Sequence, residues 1–339
     1  MNNKIHNSLK RVAQILILHE WDYKQLTDAI LEYKDLLNSL TNLDFDQPEL
    51  RENIYKDHGK AIGLEWAARC VDDMMRTKFF VNGLYEAIID AKKSFPGKRI
   101  TILYAGTGPY ATLALPTMAL FSEDEIEFIC LEINPLSYNS VRNLIDKLGF
   151  SNYVREFHNC DATEFKISNP ETVDILLCEC LQHALARESQ VAITFNLLPQ
   201  MKEDVVLIPQ SIELNLALLN TTITLAGEGN LNETRIKKIK PVFRLDKDLV
   251  NRHKSDFYID NYRFPNIETK LNIEDLNSAN MLAISTDIHI YGKNSLSHNE
   301  SGLTIPKMLR SVSKSDFPSA VLTSYLVNKD PELITEMIN

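Results

Sequence analysis

Apolar positions along the chain change their rhythm twice. Up to about residue 95 they recur at helical spacing: Leu26, Ile30, Tyr33, Leu36, Leu37 and Leu40 form one face, and Thr41-Asn-Leu-Asp closes that segment. Asp44–Arg51, with Pro48, reads as a turn. A longer helix is then expected from Leu64 to Lys93, on which Asp73, Arg76, Thr77 and Phe80 share a face. The pattern thus predicts a helical segment over 1–95. From residue 96 compact aliphatic and β-branched runs alternate with amphipathic ones. Ile100–Ala105 and Phe128–Glu132 read as buried strands, and the apolar run Ala111–Leu120 as the helix between them. Pro135–Leu148 reads as an amphipathic helix, Tyr153–Asn159 as a short strand and Val173–Cys178 as a fourth buried strand. After Val205–Pro209 alternation takes over. Ile212–Leu219, Thr221–Leu225 and Met281–Ile290 are strand-like, with turns at Gly227-Glu-Gly-Asn and Asn299-Glu-Ser-Gly302 between them. Asp330–Asn339 reads as a short helix begun at Pro331. The fold class expected is α/β: N-terminal helices (1–95), a Rossmann-like core (96–209) and a C-terminal β-rich, barrel- or sandwich-like domain (210–339).

The strand ends carry the chemistry. Ile100–Ala105 runs into Gly106-x-Gly108, and glycines at a strand–helix turn let the backbone approach a ligand closely. A bare pair of glycines is weak; a plain structural turn is the alternative. Glu132, which ends the second strand 26 residues past Gly106, adds the carboxylate that would grip ribose hydroxyls. Together they indicate an adenosine-containing cofactor. Asp161 and Glu179 end the next two strands, so Gly106, Glu132, Asp161 and Glu179 converge on one rim, where open α/β sheets bind ligands. Asp161 is placed against an adenine, with a strand-end cap as the plainer alternative. For a nicotinamide site Ala111 would be the compatible third small residue, but Pro109 and Tyr110 crowd the turn. Beyond the fourth strand, Glu179-Cys-Leu-Gln-His-Ala-Leu-Ala-Arg-Glu188 sets two carboxylates nine residues apart. Two carboxylates in one cleft repel, and a guanidinium held by both resolves the repulsion, its planar fork of donors matching carboxylates. His183, in the same loop, is a candidate base or simply a loop-filling residue.

Composition narrows the partners. The net charge of -10 disfavours a phosphate backbone, so nucleic acid is not expected as a partner. Arg235-Ile-Lys-Lys-Ile-Lys240 is the one dense basic run, and a solvated face explains it. The five cysteines, Cys70, Cys130, Cys160, Cys178 and Cys180, show no zinc spacing, so no metal is expected, and they point to a reduced, cytoplasmic protein. Cys178-x-Cys180 would place both thiols on one strand face. Val12–Leu18 is too short to span a membrane.

Gly106-x-Gly108, Glu132 and the pair Glu179/Glu188 resemble the class I S-adenosylmethionine-dependent methyltransferases, specifically the protein arginine methyltransferases, whose loop after strand four holds two glutamates at this separation. Val71-Asp-Asp73-Met-Met-Arg76-Thr77 resembles that family's D-x-x-R-T helix. Leu207-Ile-Pro209-Gln-Ser-Ile-Glu-Leu resembles its entry into the barrel. The resemblance covers residues 64–215 well and the barrel faintly. It implies S-adenosyl-L-methionine as cofactor, bound by Arg76 (through the methionine carboxylate), Gly106, Gly108, Glu132 and Asp161. It also implies Glu179 and Glu188 as catalytic, with His183 added as the candidate base from the loop's own residues, a homodimer, and a role for 210–339 in substrate binding and dimerisation. The family's Thr-His-Trp loop has no counterpart; Gly302–Pro306 stands near its place. Tyr104 occupies a position that is often acidic, and the family's N-terminal tyrosine pair is out of register, with Tyr55 nearby.

These departures turn the expected substrate towards free arginine or another small guanidine, with an arginine-containing peptide or protein as the competing substrate. The alternatives are a small-molecule N- or O-methyltransferase with a non-guanidine substrate, or a catalytically silent methyltransferase-like scaffold. Asn134-Pro135 follows strand two, whereas Cys178-Glu179 stands where base-modifying amino-methyltransferases carry an Asn/Asp-Pro-Pro-aromatic motif, which argues against base methylation.

Overall fold

The computed structural model describes residues 2–221, 236–256, 261–276 and 278–339. Helices α1 (Asn2–Leu16) and α2 (Tyr23–Thr41) open the chain. The Asp22 side chain accepts from the Gln25 N–H to start α2, and Asn42, left-handed at φ 51°, ends it. Its buried stripe is Leu26, Ala29, Ile30, Tyr33 and Leu37, as the spacing predicted.

The first 95 residues are not helical throughout. Strands β1 (Ile54–Lys56) and β2 (Gly59–Ala61) form an antiparallel hairpin. Gly59 adopts φ 130°, and a Cβ there would lie 2.6 Å from Ser189 Oγ, so the turn requires glycine. The long helix expected from Leu64 to Lys93 is also broken. It divides into α3 (Leu64–Ala68), a 3-10 turn over Arg69–Asp72, and α4 (Met74–Ser94). Asp73 is the reason: it leaves helical geometry at ψ 89°, and its side chain accepts the Arg76 N–H at 3.1 Å, restarting the helix as an N-cap.

The core sheet contains β3 (Ile100–Ala105), β4 (Ile126–Glu132), β5 (Val154–Asn159), β6 (Ile175–Cys178) and β7 (Val206–Ile208), all parallel, in the order β5-β4-β3-β6-β7. Every residue of β3, β4 and β6 is buried, which is why these strands read as continuous apolar runs rather than alternating ones. The order reverses direction at β3, so a crevice opens beside its carboxyl end. Helices α5 (Leu115–Met118), α6 (Pro135–Leu148) and α7 (Gln190–Leu197) connect the strands. The helix expected over Ala111–Leu120 shrinks to the single turn α5. Ala111 is left-handed at φ 46°, and the run before Leu115 forms tight turns in which Ala111, Leu113 and Ala114 are buried.

The rest is antiparallel. Strands β8 (Ser211–Leu219), β9 (Ile236–Asp246), β11 (Met281–Tyr291), β12 (Asn294–Leu296) and β13 (Lys307–Ser311) form one sheet. Strands β10 (Ile267–Lys270), β14 (Ala320–Leu326) and β15 (Glu332–Ile338) form another. Phe243 of β9 stacks on Tyr325 of β14, with ring centroids 4.4 Å apart, joining the two sheets. The helix expected after Pro331 is instead β15, paired with β14 from Leu326↔Glu332 to Ala320↔Ile338. Leu333 is buried while Glu332 and Glu336 face out. In the basic run, Lys237 and Lys238 pair with Asp275 and Asp287 on the face of β9. Arg235, the Gly227–Asn230 turn and most of the Thr221–Leu225 run lie outside the described residues. Among the described residues no helix is long and apolar enough to cross a membrane.

Candidate functional site

A cavity opens at the carboxyl ends of β3, β4 and β6, with an empty volume of about 1020 Å³ counting its mouth. Arg76, Gly106, Gly108, Glu132, Asp161, Glu179 and Glu188 all line it. The turn after β3 is built on glycine: Gly106 adopts φ 78° and Gly108 φ 62°, and a Cβ on Gly106 would fall 2.2 Å from Cys180 Sγ. Glu132 is 6% exposed. Its Oε2 accepts from the Gly108 N–H at 2.7 Å and its Oε1 from the Asn134 N–H at 2.8 Å, so it ties the glycine turn to the end of β4. Burial pushes its carboxyl up to about 7, against the pull of these donors. Asn134 in turn caps α6, accepting from the Leu136 and Ser137 N–H groups. Asp161 is both cavity wall and local cap: its Oδ1 accepts from Thr163 N–H at 2.9 Å and Thr163 Oγ1 at 2.7 Å.

The two loop glutamates come together here. Glu179 follows β6 and its side chain is 6% exposed; Glu188 is 8% exposed. Glu188 is therefore shielded from solvent, and the Lys202 ammonium bonds Asp174 rather than Glu188. Glu179 Oε2 is bonded by the Arg76 guanidinium, while Glu179 Oε1 is buried without a hydrogen-bond partner. Burial raises the Glu179 carboxyl to about 7, opposed by Arg76; it also raises that of Glu188, opposed by Arg76, Gln182 and Lys60. Burial works against the charge on Arg76 too, but Cys70, Glu179 and Glu188 outweigh it and hold the guanidinium protonated. Arg76 is thus not an ion-pair partner of Asp73, which takes only its backbone N–H.

The segment between the glutamates is strained and pinned from outside. Ala184, Leu185 and Arg187 are left-handed, with φ of 57°, 52° and 68°. Such residues cost about 1–3 kcal/mol each and persist where surroundings over-determine them. Those surroundings supply four anchors. Ala184 N–H donates to Thr286 Oγ1 of β11 at 2.9 Å, and Tyr325 Oη of β14 donates to Leu185 O at 2.6 Å. Arg187 N–H donates to Pro331 O at 2.7 Å, and Lys60 N–H to Arg187 O at 2.9 Å. Gln190 clamps the loop's start, accepting from Cys180 N–H and donating to Cys178 O.

His183 does not line the main cavity. It lines a neighbouring one that shares Arg76, Lys60 and Glu188 with it and whose far wall includes Trp66 and Leu303. Burial, then Lys307 and Arg187, lower its pKa, which favours the neutral ring. The turn Gly302–Thr304 stands on this wall, held by Asp73, whose Oδ2 accepts from Ser301 Oγ and Gly302 N–H. The Cys178/Cys180 expectation is corrected: β6 ends at Cys178, and Cys180 sits in the loop against Gly106. Tyr55 is 68% exposed and lines neither cavity. Sequence reasoning missed the β1–β2 hairpin, which brings Lys56, Lys60 and Ala61 to the cavity, and the Gln190 clamp. Asp57-His58-Gly59 was the available turn signal for the hairpin; nothing local marks Gln190.

No family model matches this sequence, and no curated protein matches it. The fold does have counterparts. A crystal structure of Arabidopsis thaliana protein arginine methyltransferase 10 superposes with a TM-score of 0.51 at 11% identity, over 79% of this chain and 95% of that one. A weaker likeness, TM-score 0.45 at 11% identity over 80% and 97% of the two chains, is to a Trypanosoma brucei PRMT1 enzyme–prozyme heterotetrameric complex with AdoHcy. At this identity the first likeness speaks to the fold: a Rossmann-like parallel sheet, N-terminal helices and an antiparallel β-rich region, as the sequence predicted.

Proposed function

We propose that this protein is an S-adenosylmethionine-dependent methyltransferase acting on a guanidino nitrogen, with free arginine or a related small guanidine preferred over arginine in a protein. One observation carries the reading. Two buried glutamates, one with an unpartnered oxygen, line the same cavity as a glycine turn bound to a third buried carboxylate. An unpartnered buried carboxylate oxygen costs stability unless a donor meets it, and a guanidinium brings several.

The residues present fit the cofactor. Gly106 and Gly108 supply the left-handed turn that closes the end of β3, and Glu132 keeps lone pairs for ribose hydroxyls beside its two backbone donors. Asp161 stands on the same wall, and Arg76 can answer a carboxylate. Bound there, S-adenosylmethionine would supply an electrophilic methyl group already activated by its sulfonium. What the chain adds is alignment. Glu179 and Glu188 hold the guanidinium and draw its charge towards the nitrogens they touch, leaving lone-pair density on the third. Their negative charge also steadies two cations in one site. The neutral imidazole of His183, a glutamate or water takes the proton once the nitrogen has become acidic.

A small substrate is favoured by the Gly302–Thr304 turn and His183, which wall the second cavity. The same proposal divides the chain after residues 95 and 209, gives the β-rich part a role in substrate binding and homodimer formation, and places the protein in the cytoplasm. The test is a reaction with S-adenosylmethionine and equimolar free arginine and an arginine-rich peptide, read by mass spectrometry. Methylated arginine is expected. Methyl groups on the peptide alone would overturn the size preference and leave the chemistry. Cofactor binding with no guanidine methylated would favour the silent scaffold, and light scattering reads the dimer.

A further inference from the structure

Lys60 is a cation whose charge acts on Glu188 without closing a salt bridge to it. It sits on β2, half-buried, and lines both the main cavity and its neighbour. Its ammonium forms no ion pair with a carboxylate among the described residues. It is nevertheless fixed beside the acid loop, because Lys60 and Glu188 form a parallel β-bridge and the Lys60 N–H donates to Arg187 O at 2.9 Å. Bridged strands lie ~4.8 Å apart, so the two backbones are immediate neighbours. The hairpin cannot retreat easily either: a Cβ at Gly59 would lie 2.6 Å from Ser189 Oγ, which shows how closely the turn packs on the loop. In a chain of net charge -10, a positioned lysine lining both cavities repels the cationic substrate proposed above unless that substrate brings a negative group of its own.

Resting on the guanidine reading, we propose that Lys60 is a specificity-determining residue that binds a carboxylate carried by the substrate at the opposite end from its guanidinium. The cleft then reads an amino acid at both ends: Glu179 and Glu188 take the guanidinium, and Lys60 the α-carboxylate. Asn53 and Gln182, which line the same second cavity, offer further hydrogen bonds there. An internal arginine of a peptide has no free carboxylate and loses this contact. The competing use of Lys60, holding the methionine carboxylate of the cofactor from the main cavity, gives a different result in the same experiment.

The experiment is calorimetric titration of the full chain, loaded with S-adenosylhomocysteine, with L-arginine and with L-argininamide. The two ligands differ only by carboxylate against carboxamide. Arginine should bind about tenfold more tightly, the effect of one hydrogen bond to a charged group. In Lys60→Ala the two affinities should converge, in Lys60→Arg the preference should persist, and the affinity for S-adenosylhomocysteine alone should be unchanged in both. Equal affinities in the unmodified protein would overturn the inference and leave the guanidine reading standing. Weaker S-adenosylhomocysteine binding by Lys60→Ala would overturn it by assigning Lys60 to the cofactor. Binding of neither ligand would remove the guanidine reading itself, and this inference with it.

Discussion

Gly106→Ala tests the glycine turn on which the cavity is built. The substitution meets two separate costs. At φ 78° an alanine pays the left-handed penalty, about 1–2 kcal/mol. Its Cβ would also lie 2.2 Å from Cys180 Sγ, an overlap that must be relieved by moving the loop or the turn, about 1–3 kcal/mol. The single variant should therefore lose roughly 2–5 kcal/mol. The costs separate in a double-mutant cycle. In Cys180→Ala the sulfur is gone, and the nearest remaining atom to the new Cβ is the Cys180 Cβ at 3.9 Å, an ordinary contact. Cys180→Ala alone should cost about 1 kcal/mol for the lost sulfur. Gly106→Ala with Cys180→Ala should then be more stable than the sum of the singles by about 1–3 kcal/mol, while the backbone penalty remains. Urea unfolding of the four proteins measures this directly. Strict additivity would refute the reasoning, since it would mean that Cys180 does not occupy the space over Gly106.

Other consequences can be measured in parallel. Glu132→Ala should weaken S-adenosylmethionine binding by roughly 1.5–3 kcal/mol, and because Glu132 also holds the Gly108 and Asn134 N–H groups it should lower stability as well; unchanged calorimetric affinity would remove it from the site. Glu179→Gln keeps the shape and removes the charge, so cofactor affinity should persist while methyl transfer collapses; full turnover would count against the paired glutamates and for a non-guanidine substrate. The raised carboxyls of Glu132 and Glu179, each at about 7, mean that the folded state keeps protons that the unfolded chain has already released. Their contribution to stability should thus decline as pH rises from about 4.5 to 7 and level off above, in denaturant titrations across that range. Ribose hydroxyls donate to the ionised form of Glu132, so cofactor affinity should rise over the same interval, with proton release detectable in buffers of different ionisation enthalpy.

What the sequence revealed and what it hid follow from how locally each feature is encoded. Strands β3, β4 and β6 are buried throughout and mostly apolar, and they run into glycine or glutamate, so both the sheet and its rim were legible. Helix α6 was read to the residue because Asn134 caps it, Pro135 opens it and Gly149 closes it in the left-handed region. The break at Asp73 was hidden because Cys70, Val71, Met74 and Met75 carry the apolar pattern straight through it. The tail was misread because Pro331 suits a helix start, while the partner that makes β15 a strand, β14, is brought alongside only by folding. The same holds in the site. Carboxylates at strand ends announce themselves, whereas Lys60 reaches the cavity through a hairpin bridged to a loop 128 residues downstream at Glu188.

Asp73 illustrates a different kind of economy. One carboxylate holds the start of α4, from which Arg76 projects, with one oxygen, and with the other takes two donors from residues 301 and 302. The β-rich half is therefore wired to the first turn of the helix that presents Arg76, through a joint of a single side chain. Swapping that half for the equivalent region of another protein of this fold would break the joint unless the incoming turn supplied a hydroxyl and a backbone N–H in the same positions. The two halves are interchangeable in architecture but not as parts, and a chimera would disclose the mismatch first at the arginine, far in sequence from the graft.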